Sequence, residues 1–105
     1  MTAAYVQTAE FNQLLTTEAL IVLDCTAQWC GPCKIIAPFI DQLAVTYAGR
    51  AQVVKLDIDA NKDFAKQLGI RSIPNVLIFK QGEQVESIVG RASYEEFSAA
   101  VEKHL

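Results

Sequence analysis

The 105-residue chain lacks most of the features that would set it apart from ordinary globular proteins. Its longest purely aliphatic stretch, Ala19 to Leu23, falls far below the ~20 residues of a membrane-spanning helix, so no membrane association is expected. The opening residues, Met1-Thr2-Ala3-Ala4-Tyr5, carry neither a basic segment nor an apolar one, so no secretory signal is expected in them. No run of like charges occurs, which argues against a polybasic patch or an acidic tail. A net charge of −3 provides no basic face for nucleic acid. Repeats, low-complexity segments and Gly/Ser linkers are absent, and the length suits one domain, residues 1–105, and not two. Cysteine is scarce: three residues, an odd number, which argues against a disulfide scaffold.

Two of those cysteines stand close together in Trp29-Cys30-Gly31-Pro32-Cys33. A disulfide between them would enclose too short a loop to stabilise a fold much, because the entropy removed by a cross-link grows with loop length. Such a pair suits cycling between dithiol and disulfide better than stapling. An apolar strand pattern precedes it and a helical pattern follows, the setting in which Cys-x-x-Cys reads as a redox motif. The alternative is a zinc half-site. Zinc needs three or four ligands, and only Cys25 and His104 remain, both badly placed. No metal site is expected.

A hydrophobic fraction of 51% supports a real core. Thr8 can cap a short helix carrying Phe11, Leu14 and Leu15. Residues 20–26 are nearly all apolar, the pattern of a strand covered on both faces. Ile36, Phe39, Ile40, Leu43 and Tyr47 recur at helical spacing up to Gly49. Pro38 inside that helix removes one backbone hydrogen bond, and a kink is expected there. Val53 to Ile58 reads as a second buried strand. Asp59 or Asn61 then starts a short helix with Phe64 and Leu68, stopped by Gly69. Asn75 to Lys80 and Gln84 to Val89 form a hairpin around Gly82. Ser93 and Glu96 make a capping box that opens a last helix with Phe97 and Val101. The order β-α-β-α-β-α-β-β-α demands parallel pairing early and antiparallel pairing late. The expected fold class is α/β, with a mixed sheet of about five strands flanked by four helices.

In these landmarks the chain resembles the thioredoxin family over roughly residues 5–105. Trp29-Cys30-Gly31-Pro32-Cys33-Lys34 matches the family's active-site signature and is followed by Ala37-Pro38. Asp24 stands where the family has its buried acid. Lys55 within Val54-Lys55-Leu56-Asp57, the segment Ile70-Arg71-Ser72-Ile73-Pro74, Phe79-Lys80-Gln81-Gly82 and Gly90 match in turn. The resemblance implies the thioredoxin fold and a general protein-disulfide oxidoreductase that needs no cofactor beyond its own two sulfurs. Cys30 would attack a disulfide in a target protein and Cys33, more buried, would resolve the mixed disulfide. Gly31 and Pro32 would set the loop geometry and the reducing poise. Pro74 would be cis, and the backbone at Ile73 would pair with an extended target segment. Trp29, Gly31, Pro32, Ile58, Ile73, Pro74, Gly90 and Ala92 would form an apolar collar around Cys30, although Ile58 alone reads equally well as core. An external thioredoxin reductase, nicotinamide- or ferredoxin-linked, would restore the dithiol. A cytoplasmic monomer is expected, or one in an organelle stroma if a transit peptide has been removed.

Asp24 and Lys55 carry meaning without any relative. Each is a charge inside an apolar strand pattern, and a lone buried charge is costly, so the two should neighbour one another or reach water. Asp24, six residues before Cys30, is expected to take the proton of Cys33 through water; the alternative is a purely structural ion pair. The chain departs from the family where Cys25 and Thr26 replace two aromatics, which removes bulk behind the active-site loop, and at Asn75. Cys25 alternates with Asp24 and should point to the opposite sheet face as a small buried hydrophobe. His104 reads as a cation at a helix end. Two other function classes remain at this stage: a binding module in which redox is inessential, and a thiol oxidase or isomerase. The Gly31-Pro32 dipeptide argues against the latter.

Overall fold

In the computed structural model, which describes residues 2–105, strands and helices follow one another in the expected order. They are β1 (Ala4–Tyr5), α1 (Thr8–Thr17), β2 (Leu20–Thr26), α2 (Gly31–Thr46), β3 (Gln52–Asp57), α3 (Lys62–Gln67), β4 (Asn75–Lys80), β5 (Glu83–Val89) and α4 (Tyr94–His104). The sheet order is β1-β3-β2-β4-β5, with β1, β3 and β2 parallel and β4 and β5 antiparallel to their neighbours. The crossover helices impose the parallel half. The two-residue turn Gln81-Gly82 imposes the other: both residues have positive φ, 53° and 80°, the primed turn geometry that matches strand twist.

Every residue of β2 is buried, as its unbroken apolar pattern requires of a central strand. Leu20 and Val22 face a core shared with Ile36, Ile40 and Leu43 of α2 and Phe97 and Val101 of α4. Ile21, Leu23 and Cys25 face the opposite core, with Phe11 of α1 and Phe64 of α3. By this alternation Asp24 shares the α2 side of the sheet, and Cys25 does not. The Phe11 ring meets Phe79 edge-on, with centroids 5.1 Å apart. On the other side the Tyr47 hydroxyl, just past the end of α2, donates to Glu102 Oε2 of α4 at 2.8 Å.

Several boundaries differ from the sequence reading. The third strand ends at Asp57, one residue early, although the Ile58 amide still donates to the Thr26 carbonyl at 3.0 Å. As read, helix α2 continues through Pro38, which lies on its exposed face. Thr8 does not cap α1: it is the first helical residue, and its amide and Oγ1 both donate to Asn61 Oδ1, at 3.0 and 2.8 Å. Asn61 precedes α3 as expected, yet its side chain makes no cap bond to that helix. Its amide nitrogen donates instead to the Asp57 carbonyl at 3.0 Å. One buried amide side chain thus joins the start of α1 to the β3–α3 loop. The Ser93–Glu96 capping box forms as read, with reciprocal bonds of 3.1 and 3.2 Å.

Asn61→Ala removes a buried acceptor from two donors and one donor from a carbonyl. Urea denaturation is expected to show a loss of about 1–3 kcal/mol, larger than for Thr8→Ala, which retains the amide bond.

Candidate active site

The centre of the site is the start of α2. Cys30 occupies the N-cap, and its Sγ accepts the Cys33 amide hydrogen at 3.2 Å. Gly31 and Pro32 form the exposed first turn, where the missing N–H of proline leaves nothing unpaired. Cys30 and Cys33 are joined as a disulfide, with Cα atoms 5.3 Å apart. An N-cap sulfur faces the unpaired amides and positive dipole end of the helix, so on reduction this environment favours the Cys30 thiolate. The expected difference in burial is absent. Each cysteine is 3% exposed, because the closed ring packs both against Ala27, Ile58 and Ile73. What separates the sulfurs is their setting, N-cap for Cys30 and first turn, facing the interior, for Cys33.

Around the disulfide the surface is apolar but uneven. Trp29 is 68% exposed, and its indole Nε1 donates to Asp59 Oδ2 at 2.7 Å, which ties the ring to the loop after β3. Ile58 and Ile73 are half-buried. Ile58 packs both on the disulfide and on the α1/α3 core, so its two readings hold together. The Ile73–Pro74 peptide is cis. Pro74 itself is buried and leaves Ile73 as the more accessible of the two. Among the described residues, neither the amide nor the carbonyl of Ile73 has a backbone partner. Gly90, at φ 85°, donates its amide to the Pro74 carbonyl at 2.8 Å. Ala92 is half-buried beside Ile35 and Phe39 of α2.

Behind the disulfide a cleft of about 340 Å³ brings together Cys33, Asp24, Thr26, Ala37, Lys55 and Tyr5. Thr26 lines this space in place of the expected aromatic. Asp24 is 1% exposed, and its Oδ1 has no hydrogen-bond partner among the described residues. Burial pushes the Asp24 carboxyl up to about 7; nearby Lys55 pulls the other way, and Asp41 adds to the rise. Asp24 and Lys55 are register partners on β2 and β3, but they form no ion pair. The Lys55 ammonium lies 3.2 Å from Asp41 Oδ1 on α2. The purely structural Asp24–Lys55 pair is therefore replaced by a Lys55–Asp41 pair, with Asp24 left unpaired beside it.

Cys25 is free, buried on the opposite face as its alternation requires, and its thiol is pushed up to about 12 by burial and by Asp24. It is poorly suited to nucleophilic chemistry. Asn75 is buried and accepts the Ser87 hydroxyl hydrogen at 3.1 Å. His104 lies in the last turn of α4 and meets Glu86 Oε2 at 2.8 Å. Among the described residues no three His, Cys, Asp or Glu side chains cluster as a metal would require, and no helix is long and apolar enough to cross a membrane.

Sequence reasoning missed Asp41, Asp59 and Tyr5. Asp41 left a trace: Cys33, Ala37 and Asp41 recur every four residues, so one stripe of α2 carries all three to the sheet. Asp59 and Tyr5 lie outside the helices and left no periodic signal.

These features recur in known proteins. The thioredoxin family model matches residues 2–103. Thioredoxin 1 of Nostoc sp. is 42% identical over 104 residues, covering 98% of this chain and 97% of that one. The chloroplastic M-type thioredoxin of Spinacia oleracea is 47% identical over 92 residues, covering 88% of this chain and 51% of the relative. A solved Plasmodium falciparum thioredoxin superposes with a TM-score of 0.88 at 30% identity, covering 98% of this chain and 99% of that one. With the family model matching residues 2–103, relatives matching nearly its whole length and a Cys30–Cys33 disulfide within the chain to carry two electrons, the chain belongs to the thioredoxin family of protein-disulfide oxidoreductases.

Proposed function

We propose that residues 1–105 act as one domain, in which Cys30 is the attacking thiol, Cys33 the resolving thiol and Asp24 the proton acceptor for Cys33. The observation that carries this reading is the Cys33 amide aimed at the Cys30 sulfur at the N-cap of α2, which favours a negative charge on Cys30 and not on Cys33. The Cys30 thiolate attacks one sulfur of a target disulfide. A Cys30–target disulfide forms, and the other target sulfur leaves as a thiolate. Cys33 then gives its proton to Asp24 through water in the shared cleft and attacks Cys30 Sγ. The bond to the target breaks, the second target sulfur leaves as a thiolate, and the Cys30–Cys33 disulfide closes. Two electrons have passed to the target.

Trp29, Gly31, Pro32, Ile58, Ile73, Gly90 and Ala92, with Pro74 beneath Ile73, form the docking surface. The unpartnered Ile73 backbone supports strand-like pairing with an extended target segment. Lys55 tunes Asp24 through charge. A thioredoxin reductase, nicotinamide- or ferredoxin-linked, returns the two electrons. The protein works as a monomer in the cytoplasm or, by analogy with the chloroplast relative, in a stroma.

Three measurements test this reading. In an insulin-type disulfide reduction assay both single serine variants are expected to be inactive, but Cys33→Ser accumulates a mixed disulfide with target and Cys30→Ser does not. The reverse pattern refutes the assigned order. Stopped-flow measurement of the resolving step should find Asp24→Asn slower by roughly 10²-fold near neutral pH, with a flattened pH profile; unchanged rates from pH 6 to 9 remove Asp24 from the mechanism. Stability supplies an independent check. The carboxyl titrates at about 7 when folded against 3.8 as its ordinary value, so the folded state binds the extra proton between those values and loses stability as pH rises through them. Asp24→Asn should exceed the parent in stability by up to a few kcal/mol above pH 7, with the gap closing below pH 4.

A further inference from the structure

Asp24 and Lys55 are an acid and a base on adjacent strands, in register and on one face of the sheet. Burial makes a direct pair the ordinary outcome, since an unpaired buried charge is costly. The structure shows another arrangement. Lys55 Nζ sits 3.2 Å from Asp41 Oδ1, and that same oxygen accepts the Ala3 amide hydrogen at 2.9 Å. The Tyr5 ring lies 5.7 Å from the ammonium. Asp24 Oδ1, meanwhile, has no partner among the described residues, although Asp24 lines the cleft with Cys33. Asp41 stands two helical turns beyond Cys33 on the same stripe of α2, so one helix holds the resolving sulfur and the anchor of the lysine.

We propose that Asp41 is a positioning residue: it anchors the Lys55 ammonium on α2, keeps that cation off the Asp24 carboxyl, and so leaves Asp24 able to accept the Cys33 proton. The functional half rests on Asp24 being that acceptor. Bonded to Lys55, Asp24 would be an ion-paired carboxylate of low proton affinity, a poor match for a thiol proton near neutral pH. Anchored elsewhere, the cation keeps its long-range pull but donates no hydrogen to Asp24. The other titratable groups around Asp24 are few. Lys55 comes from β3, Cys33, Lys34 and Asp41 from α2, and Tyr5 from β1. Cys25 on β2 points away, and the partner on β4 is Val76.

The test is a double-mutant cycle on the full chain in its reduced form, read by carbon NMR titration of the Asp24 carboxyl and by the pH profile of the resolving step. Asp41→Asn retains an oxygen for the Ala3 amide, and the Ala3 resonance reports that β1 stays docked. Lys55→Met, or Lys55→Gln if the methionine variant does not fold, supplies the second background. With Lys55 present, Asp41→Asn releases the ammonium to Asp24 and lowers its titration midpoint by about one pH unit or more. The resolving-step profile moves down with it. Without Lys55, the same substitution only removes a distant negative charge, and the fall is less than half as large. Equal falls in both backgrounds, or no fall with Lys55 present, overturn the proposal. A midpoint that moves while the resolving profile stays still overturns the acceptor role of Asp24 and leaves the anchoring of Lys55 standing.

Discussion

The burial of β2 on both faces and along both edges is the constraint on which the rest of this molecule depends. All seven of its residues are buried, and the strand pairs with β3 on one side and β4 on the other. A strand so placed tolerates a charge only at a cost of several kcal/mol unless the group changes its protonation. Asp24 meets that condition by titrating near neutrality. The same placement that makes the strand a scaffold therefore raises the proton affinity of one of its side chains, the property on which the proposed acceptor role rests. Thr26, two residues on, keeps the adjoining cleft open to Cys33.

The second organising element is the start of α2, reached from the end of β2 through the short loop at residues 27–30. The turn places one sulfur at the cap and the other inside the first turn, so two chemically identical thiols acquire different environments from backbone geometry alone. Their equal exposure shows that accessibility does not distinguish them. Electrostatics does: the amide array lies by Cys30, and the buried carboxyl lies by Cys33. Lys55 belongs to this arrangement through its placement on Asp41, since a cation near Asp24 lowers its proton affinity less than one bonded to it would.

Much of this was legible from residue order. The apolar run at 20–26, the helical spacing from Ile36 to Tyr47, the Ser93–Glu96 box and the turn containing Gly82 each express a local rule, and the elements formed there, with β5 beginning at Glu83, one residue before the position expected. Errors arose where a long-range contact outcompeted a local one. Thr8 has the chemistry of a cap, but a side chain 53 residues away reached its amide first. Lys55 has its nearest acid across the ladder, but its flexible stem reaches α2 instead. Trp29 is held by Asp59, 30 residues on, a partnership with no trace in local pattern.

By itself the sequence determined the order of elements, the mixed character of the sheet, the reactive pair at 30 and 33, and the face on which Asp24 stands. These follow from periodicity, turn chemistry and strand alternation, all properties of neighbouring residues. Only the tertiary structure decided which partner each polar side chain takes: Asn61 for α1, Asp59 for Trp29, Asp41 for Lys55, and none for one oxygen of Asp24. Those choices depend on distances between segments remote in the chain, and no local rule contains them.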